Sequence, residues 1–209
     1  MDNGETNVPL VAWAAIGRGW GSGAQHSQAI QGLLLGVPGL KIIMPSTPYD
    51  AKGLMLAAIA DNNPVLIFEH RWCMRNKGVV PEGIYKVPIG EGVYRRKGID
   101  LTIVGTSHSI ELATQAVDQL TGVTADVIDL RTIKPLDEKI ILESVQKTGK
   151  ILIVDTGWEM GGVCAEIGCL VAEKAFSHLK APVRRIGLPD VPSPAGFTLE
   201  QFYYPNEEN

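Results

Sequence analysis

A chain of 209 residues, 45% hydrophobic and 20% charged, holds enough apolar material for one large domain or two small ones. Its net charge of −4 gives no electrostatic reason to expect nucleic acid or an anionic membrane as partner. No apolar run reaches membrane-spanning length, and Met1-Asp2-Asn3-Gly4-Glu5 has neither the basic start nor the apolar stretch of a signal peptide.

In chain order, a first strand is expected over Val8 to Ile16. Helical spacing follows from Gln25 to Leu35, with Ile30, Leu33 and Leu34 apolar and Gly36 as its stop. Lys41 to Met44 reads as a buried strand. Thr47 then caps a helix with Pro48 at its first position, which ends at Asp61-Asn62-Asn63-Pro64. Val65 to Phe68 is the next strand. From His70 to Asp100 the rhythm breaks in a run of Pro and Gly, with a short extended piece at Val93 to Arg95, as in an interdomain connection. A second alternating series begins at Leu101 to Val104. It continues with a helix from Ser109 to Leu120, a strand from Asp126 to Leu130, and a helix from Pro135 to Thr148 stopped by Gly149. Lys150 to Val154 is a strand that ends in a turn, Asp155 to Trp158. Gly161-Gly162 opens a helix to Leu179, Val183 to Gly187 makes the last strand, and a proline-rich tail wraps the surface. The three cysteines, Cys73, Cys164 and Cys169, show no metal-ligand spacing and fit a reducing cytoplasm; the last two fall in a helical pattern as small core residues.

Alternation of strands and helices with short connections defines an α/β architecture with mainly parallel sheets. The first series is short, however. Three strands and two helices leave part of a parallel sheet uncovered, so another chain, or sequence ahead of Met1, is expected to complete it.

The chemistry-bearing feature is Gly17-Arg18-Gly19-Trp20-Gly21-Ser22-Gly23, which leads into Ala24-Gln25-His26-Ser27-Gln28. Four glycines in seven residues let backbone approach a ligand closely. The expected helix then places His26 near a positive dipole end, whose field disfavours imidazolium. His26 is the candidate proton donor or acceptor; capping or packing is the simpler use of a single histidine. Gly19-x-Gly21-x-x-Ala24 also matches the dinucleotide fingerprint, but the next strand runs into Met44-Pro45-Ser46 without the carboxylate that would bind a ribose.

Several phrases taken together are more specific. They are Gln25-His26-Ser27-Gln28, Pro38-Gly39-Leu40-Lys41, Pro45-Ser46-Thr47-Pro48-Tyr49-Asp50-Ala51-Lys52-Gly53-Leu54, Asp61-Asn62-Asn63-Pro64 with Phe68-Glu69-His70, Val127 through Asp137, and Leu188-Pro189-Asp190-Val191-Pro192. In this order, from about Val8 to Pro205, the chain resembles the β subunit of thiamine-diphosphate-dependent 2-oxo acid dehydrogenases. These are the pyruvate, branched-chain and acetoin E1 components of the transketolase superfamily. The resemblance implies an incomplete pyrimidine-binding domain over 1–80, a connection over 81–98 and a transketolase C-terminal domain over 99–209.

By the same resemblance, His26 acts on the substrate or on the cofactor-bound intermediate. Leu10, Ala58, Ile59, Asp61 and Asn63 match a structural K⁺ site built mostly of backbone carbonyls. A turn ending a helix ahead of Pro64 accounts equally for Asp61-Asn62-Asn63. The implied cofactor is thiamine diphosphate with Mg²⁺. The implied partners are an E1 α subunit, a second β subunit, and the E2 acyltransferase core with its lipoyl domain.

The Gly-Asp-Gly phrase that binds the pyrophosphate is absent, as expected for a β chain. The segment carrying the family's activating glutamate would lie ahead of Val8, so the chain is expected to be inactive alone. A non-catalytic assembly subunit and half of a split transketolase-like enzyme are the alternatives. Glu69 and His70 are expected in structural or subunit contacts, Arg131 in a fixing salt bridge, and Trp13, Trp20, Trp72 and Trp158 in the core or an interface. His108 and His178 are assigned no role.

Overall fold

The computed structural model describes residues 5–17 and 21–206, and its strands fall into two sheets. In the first, β1 (Val11–Ile16) and β2 (Lys41–Ile43) flank β3 (Val65–His70) in parallel. In the second, β6 (Ala125–Asp129), β5 (Leu101–Gly105), β8 (Ile151–Trp158) and β9 (Arg184–Leu188) run parallel, with β4 (Val93–Arg96) antiparallel at the β6 edge. A short strand, β7 (Thr132–Lys134), leaves the second series and pairs antiparallel with β2. The architecture is the expected mainly parallel α/β. The segment 81–98, expected as a connection, contributes β4 to the second sheet, and the unit 99–209 lends β7 to the first.

Capping chemistry sets the helix ends. In α2 (Pro48–Ile59) the Thr47 hydroxyl accepts from the Asp50 N–H at 3.1 Å and Pro48 fills the first turn, a cap that contributes about 1 kcal/mol. Asp137 caps α4 (Glu138–Thr148) by accepting from the Ile140 N–H, and Gly149 ends it in the left-handed region at φ 75°. The other helices are α1 (Gly23–His26), α3 (His108–Gln119), α5 (Val163–Lys174) and α6 (Phe197–Tyr203).

One apolar core runs through both units. Ile16, Ile42, Met44 and Phe68 from the first meet Val104, Ile128, Leu130 and Ile133 from the second, together with Ile141, Val145, Cys164 and Ile167 on α4 and α5. Smaller clusters lie under α2, around Ile43, Leu54 and Ile67, and under α3, around Ile103, Ile110 and Val127.

Five expectations are corrected. The helix expected over 25–35 is one turn, α1, and a separate 3₁₀ turn, Gln31–Leu34. The Gly17 N–H captures the Gln28 carbonyl at 3.0 Å, and Ser27 and Gln31 are buried, so the chain folds back on the end of β1; Leu33 is left 74% exposed. Asp155 to Trp158 is not a turn but the end of β8, held by Trp158 opposite Leu188 of β9. The helix opened by Gly161-Gly162 stops at Lys174. Its Cys164 is buried as expected, but Cys169 is exposed. The tail does more than wrap: α6 buries Tyr203 and Glu200.

Candidate active site at the carboxyl edge of the first sheet

Parallel strands put their carboxyl ends on one side, where sites in α/β folds gather. β1 ends at Ile16 and β3 at His70, and the loop bearing His26 crosses this edge. Gly17, at φ +80°, lies so close to the buried His70 ring that a Cβ would come within 2.0 Å of it. Just past β3, Arg71 donates from Nη1 to the Gly17 carbonyl at 2.9 Å and to the His26 carbonyl. One guanidinium thus ties the loop to the sheet at both ends, while the His26 imidazole stays exposed to solvent. From the other side, the buried Glu200 on α6 accepts from the Gly21 N–H at 3.2 Å. His26 closes the carbonyl end of the one-turn α1 rather than opening a helix, so the dipole field expected at this ring does not apply. The dinucleotide-like phrase and Trp20 include residues 18–20, which lie outside the described residues.

The neighbouring side chains brace this edge. Glu69 accepts from the Trp13 indole N–H at 2.6 Å, linking β3 to β1. His70 stacks on His108 of α3, ring centres 4.8 Å apart, so His108, assigned no role above, joins the two units. Arg131 forms its salt bridge with Asp50, at 3.1 Å, rather than with its neighbour Asp129. Trp72 and Trp158 are half-buried and Trp13 is exposed.

A buried ion network, invisible in the sequence, crosses from one unit to the other. Arg95 reaches both Asp50 and, at 2.7 Å, Asp129; Ser46 donates to Asp129, and Arg131 also donates to the Glu91 carbonyl. Burial pushes the Asp50 carboxyl up, but the Thr47 hydroxyl and the guanidinium groups of Arg95 and Arg131 outweigh it and hold Asp50 below its ordinary value. Asp129 goes the other way: burial raises it, Arg95 and Ser46 only partly counter that, and the Asp50 charge adds to the rise. Only the proximity of Asp129 and Arg131 was legible beforehand; Asp50 and Arg95 come from segments read as a helix start and a connection.

Asp155 sits behind the His26 loop, taking one hydrogen bond from Gln31 at 3.0 Å. Among the described residues its Oδ2 has no partner. Burial raises this carboxyl to about 6, against partial relief from Gln31 and the Gly157 and Thr156 N–H groups. A folded value above the ordinary 3.8 means that the stability linked to this group is complete below about pH 4 and is lost as pH rises through 6. Asp155→Asn is therefore expected to gain on the order of 2 kcal/mol at pH 7.5, a gain that fades toward pH 4. Urea melts at several pH values read this directly, and a variant less stable at pH 7.5 would refute the account.

The residues expected at a K⁺ site are partly brought together. Ala58, Ile59, Asp61 and Asn63 lie on the end of α2 and the turn after it, and the Leu10 carbonyl accepts from the Val65 N–H two residues beyond. Their oxygens have the hard character a monovalent cation requires. Asp61 is already engaged, by Lys41 at 2.5 Å and by the Asn63 backbone and side-chain N–H groups, and the Ala58 carbonyl accepts from the Asp61 N–H.

Residues 1–76 match the transketolase pyrimidine-binding domain and residues 90–209 the transketolase C-terminal domain, so the chain belongs to the transketolase family. Among curated proteins it is 40% identical to the β subunit of acetoin:2,6-dichlorophenolindophenol oxidoreductase of Bacillus subtilis, across 100% of this chain and 61% of that one. It is also 40% identical to the 2-oxoisovalerate dehydrogenase β subunit of the same organism, over 99% of this chain and 64% of that one. The pyruvate dehydrogenase E1 β subunit of Rickettsia felis gives 40% over 100% and 65%. The chain thus spans just over three-fifths of these relatives. Among solved structures, a split-gene transketolase described as an inactive β4 tetramer superposes with a TM-score of 0.75 at 22% identity, over 99% of this chain and 66% of that one, a likeness of fold.

Proposed function

We propose that this chain is part of the β subunit of a thiamine-diphosphate-dependent 2-oxo acid dehydrogenase E1, which decarboxylates a 2-oxo acid and acylates a lipoyl domain, and that it is inactive alone. The observation that carries this is a 40% identity to acetoin, 2-oxoisovalerate and pyruvate β subunits running through the whole chain. An exposed imidazole fixed at the carboxyl edge of a parallel sheet supports it. Thiamine diphosphate, with Mg²⁺, supplies carbanion-stabilising chemistry when bound. The task left to this chain is to hold His26 so that its ring gives or takes a proton beside the reacting carbonyl. Gly17 and Arg71 serve that task by fixing the loop. Leu10, Ala58, Ile59, Asp61 and Asn63 would hold a structural K⁺ that stiffens the turn after α2.

The partners proposed are an α subunit, a second β subunit, and the E2 core with its lipoyl domain. Val8 and Leu10, in the segment leading into β1, and Trp13 on it are each more than half exposed, and β1 is an edge strand among the described residues; these features support a covering partner on this side. Among the described residues no helix is long and apolar enough to cross a membrane. The free cysteines support a cytoplasmic setting.

The test combines the purified chain with thiamine diphosphate, Mg²⁺, an α subunit and a polypeptide supplying the rest of a β subunit, and follows dye reduction on a panel of 2-oxo acids. Activity only in the full combination is expected. Decarboxylation by the chain alone would overturn the proposal. So would a stable assembly that turns over none of the acids, or one that transfers ketol groups between sugar phosphates.

A further inference from the structure

Cys73, His108 and Glu111 are far apart in sequence, but their ligating atoms all lie within 4.8 Å of one another. Cys73 starts a 3₁₀ turn just after β3, in the first unit. His108 and Glu111 share the first turn of α3, in the second, and a spacing of three residues puts both on one helix face. We propose that these three residues form a thiophilic divalent-metal site, suited to Zn²⁺, that clamps the two units together.

The chemistry of the set points this way. One thiolate, one imidazole and one carboxylate are the ligand types of zinc sites, and three protein ligands leave a fourth position for water. Two ligands on one tetrahedral zinc stand roughly 3–4 Å apart. His108 Nδ1 and Glu111 Oε2 are 3.1 Å apart, and the sulfur needs to close by about 1 Å at most. The surroundings hold the ligands in place. Asn76 donates from Nδ2 to Glu111 Oε2 at 3.3 Å, and the His108 ring lies roughly parallel to those of His70, at 4.8 Å, and Trp72, at 6.4 Å. Such outer contacts fix ligand orientation in metal sites. Ser107, between the ligand segments, sits at φ 52° and ψ −132°, a strained conformation for a residue with a side chain, with its hydroxyl 3.6 Å from the Cys73 sulfur.

Coordination to a divalent ion takes the proton from the Cys73 thiol, because a coordinating thiol is deprotonated outright. A cleft of about 290 Å³, lined by Ser46, Thr47, Glu69, Cys73 and Asn76, reaches this cluster.

The test uses Co²⁺ as a spectroscopic substitute on the full chain, purified free of metal, so its outcome is independent of catalysis. One equivalent is expected to give a sulfur-to-cobalt charge-transfer band in the near ultraviolet and visible d–d bands of tetrahedral intensity, and Zn²⁺ is expected to displace them. Cys73→Ser should abolish the charge-transfer band, Cys169→Ser should leave it unchanged, and Asn76→Ala should weaken binding by about tenfold or more. Melting temperature should rise with Zn²⁺ in the unmodified chain and not in Cys73→Ser. Folded protein that gives no band with excess Co²⁺, or a band that survives Cys73→Ser in a variant with an unchanged circular dichroism spectrum, would overturn the proposal.

Discussion

Asp50→Ala is expected to destabilise the protein by about 3–5 kcal/mol, the cost of leaving buried guanidinium charge without its partner. Asp50 is fully buried and accepts from both Arg95 and Arg131, so its removal strands the Arg131 guanidinium on the Glu91 carbonyl alone. Chemical denaturation at pH 7 measures the loss, and a melting point lower by roughly 10 °C should accompany it. Asp50→Asn keeps the oxygen facing the Thr47 cap and should cost less. The pH dependence fixes the cause. Because the Asp50 value is lowered on folding, its charge contributes stability above the ordinary 3.8, and that contribution disappears as pH falls through the folded value. The gap between the native chain and Asp50→Ala should therefore be widest near neutrality and narrow below about pH 4. A gap of under 1 kcal/mol at pH 7 would show that Arg95 and Arg131 find water or Asp129 at little cost.

His26→Ala is expected to lower turnover of the assembled enzyme by about 10²- to 10⁴-fold, the range for a positioned proton donor or acceptor. The same change should leave folding stability within about 0.5 kcal/mol, because the imidazole is exposed and the loop is held through backbone carbonyls rather than through the ring. The contrast separates chemistry from scaffolding. Arg71→Ala, which frees the Gly17 and His26 carbonyls, disturbs the loop itself and should lower activity and stability together. Full activity of His26→Ala in the complete assembly would remove the imidazole from the chemistry.

Much of the fold was legible because local rules and tertiary demand coincide. Thr47-Pro48 and Asp137 cap helices wherever they lie, Gly149 supplies a left-handed stop, and apolar runs such as Ile103-Val104 belong to strands covered on both faces. Misreadings fell where a distant contact overrules a local preference. Gln25 to Leu35 has helical spacing, but the bond from Gly17 to Gln28 and the buried Gln31 pull it back onto the sheet. Asp155-Thr156-Gly157-Trp158 has turn composition, yet β9 lies alongside to pair with its far end. β7 went unread because three residues carry little periodicity and its partner strand lies about ninety residues earlier.

The candidate site divides along the same line. His26 and its glycine-rich approach are contiguous, so their chemistry and family likeness can be read from the order of residues. Arg71 as the clasp of that loop, Arg95 bridging Asp50 and Asp129, and Cys73 beside His108 and Glu111 are contacts between segments 34 or more residues apart. Backbone propensity and side-chain periodicity act over a few residues and fix strands, helices and caps. Charge pairing, ring stacking and ligand geometry act through space, and they exist only after the shared core of Ile16, Phe68, Val104 and Ile128 has brought the two units together.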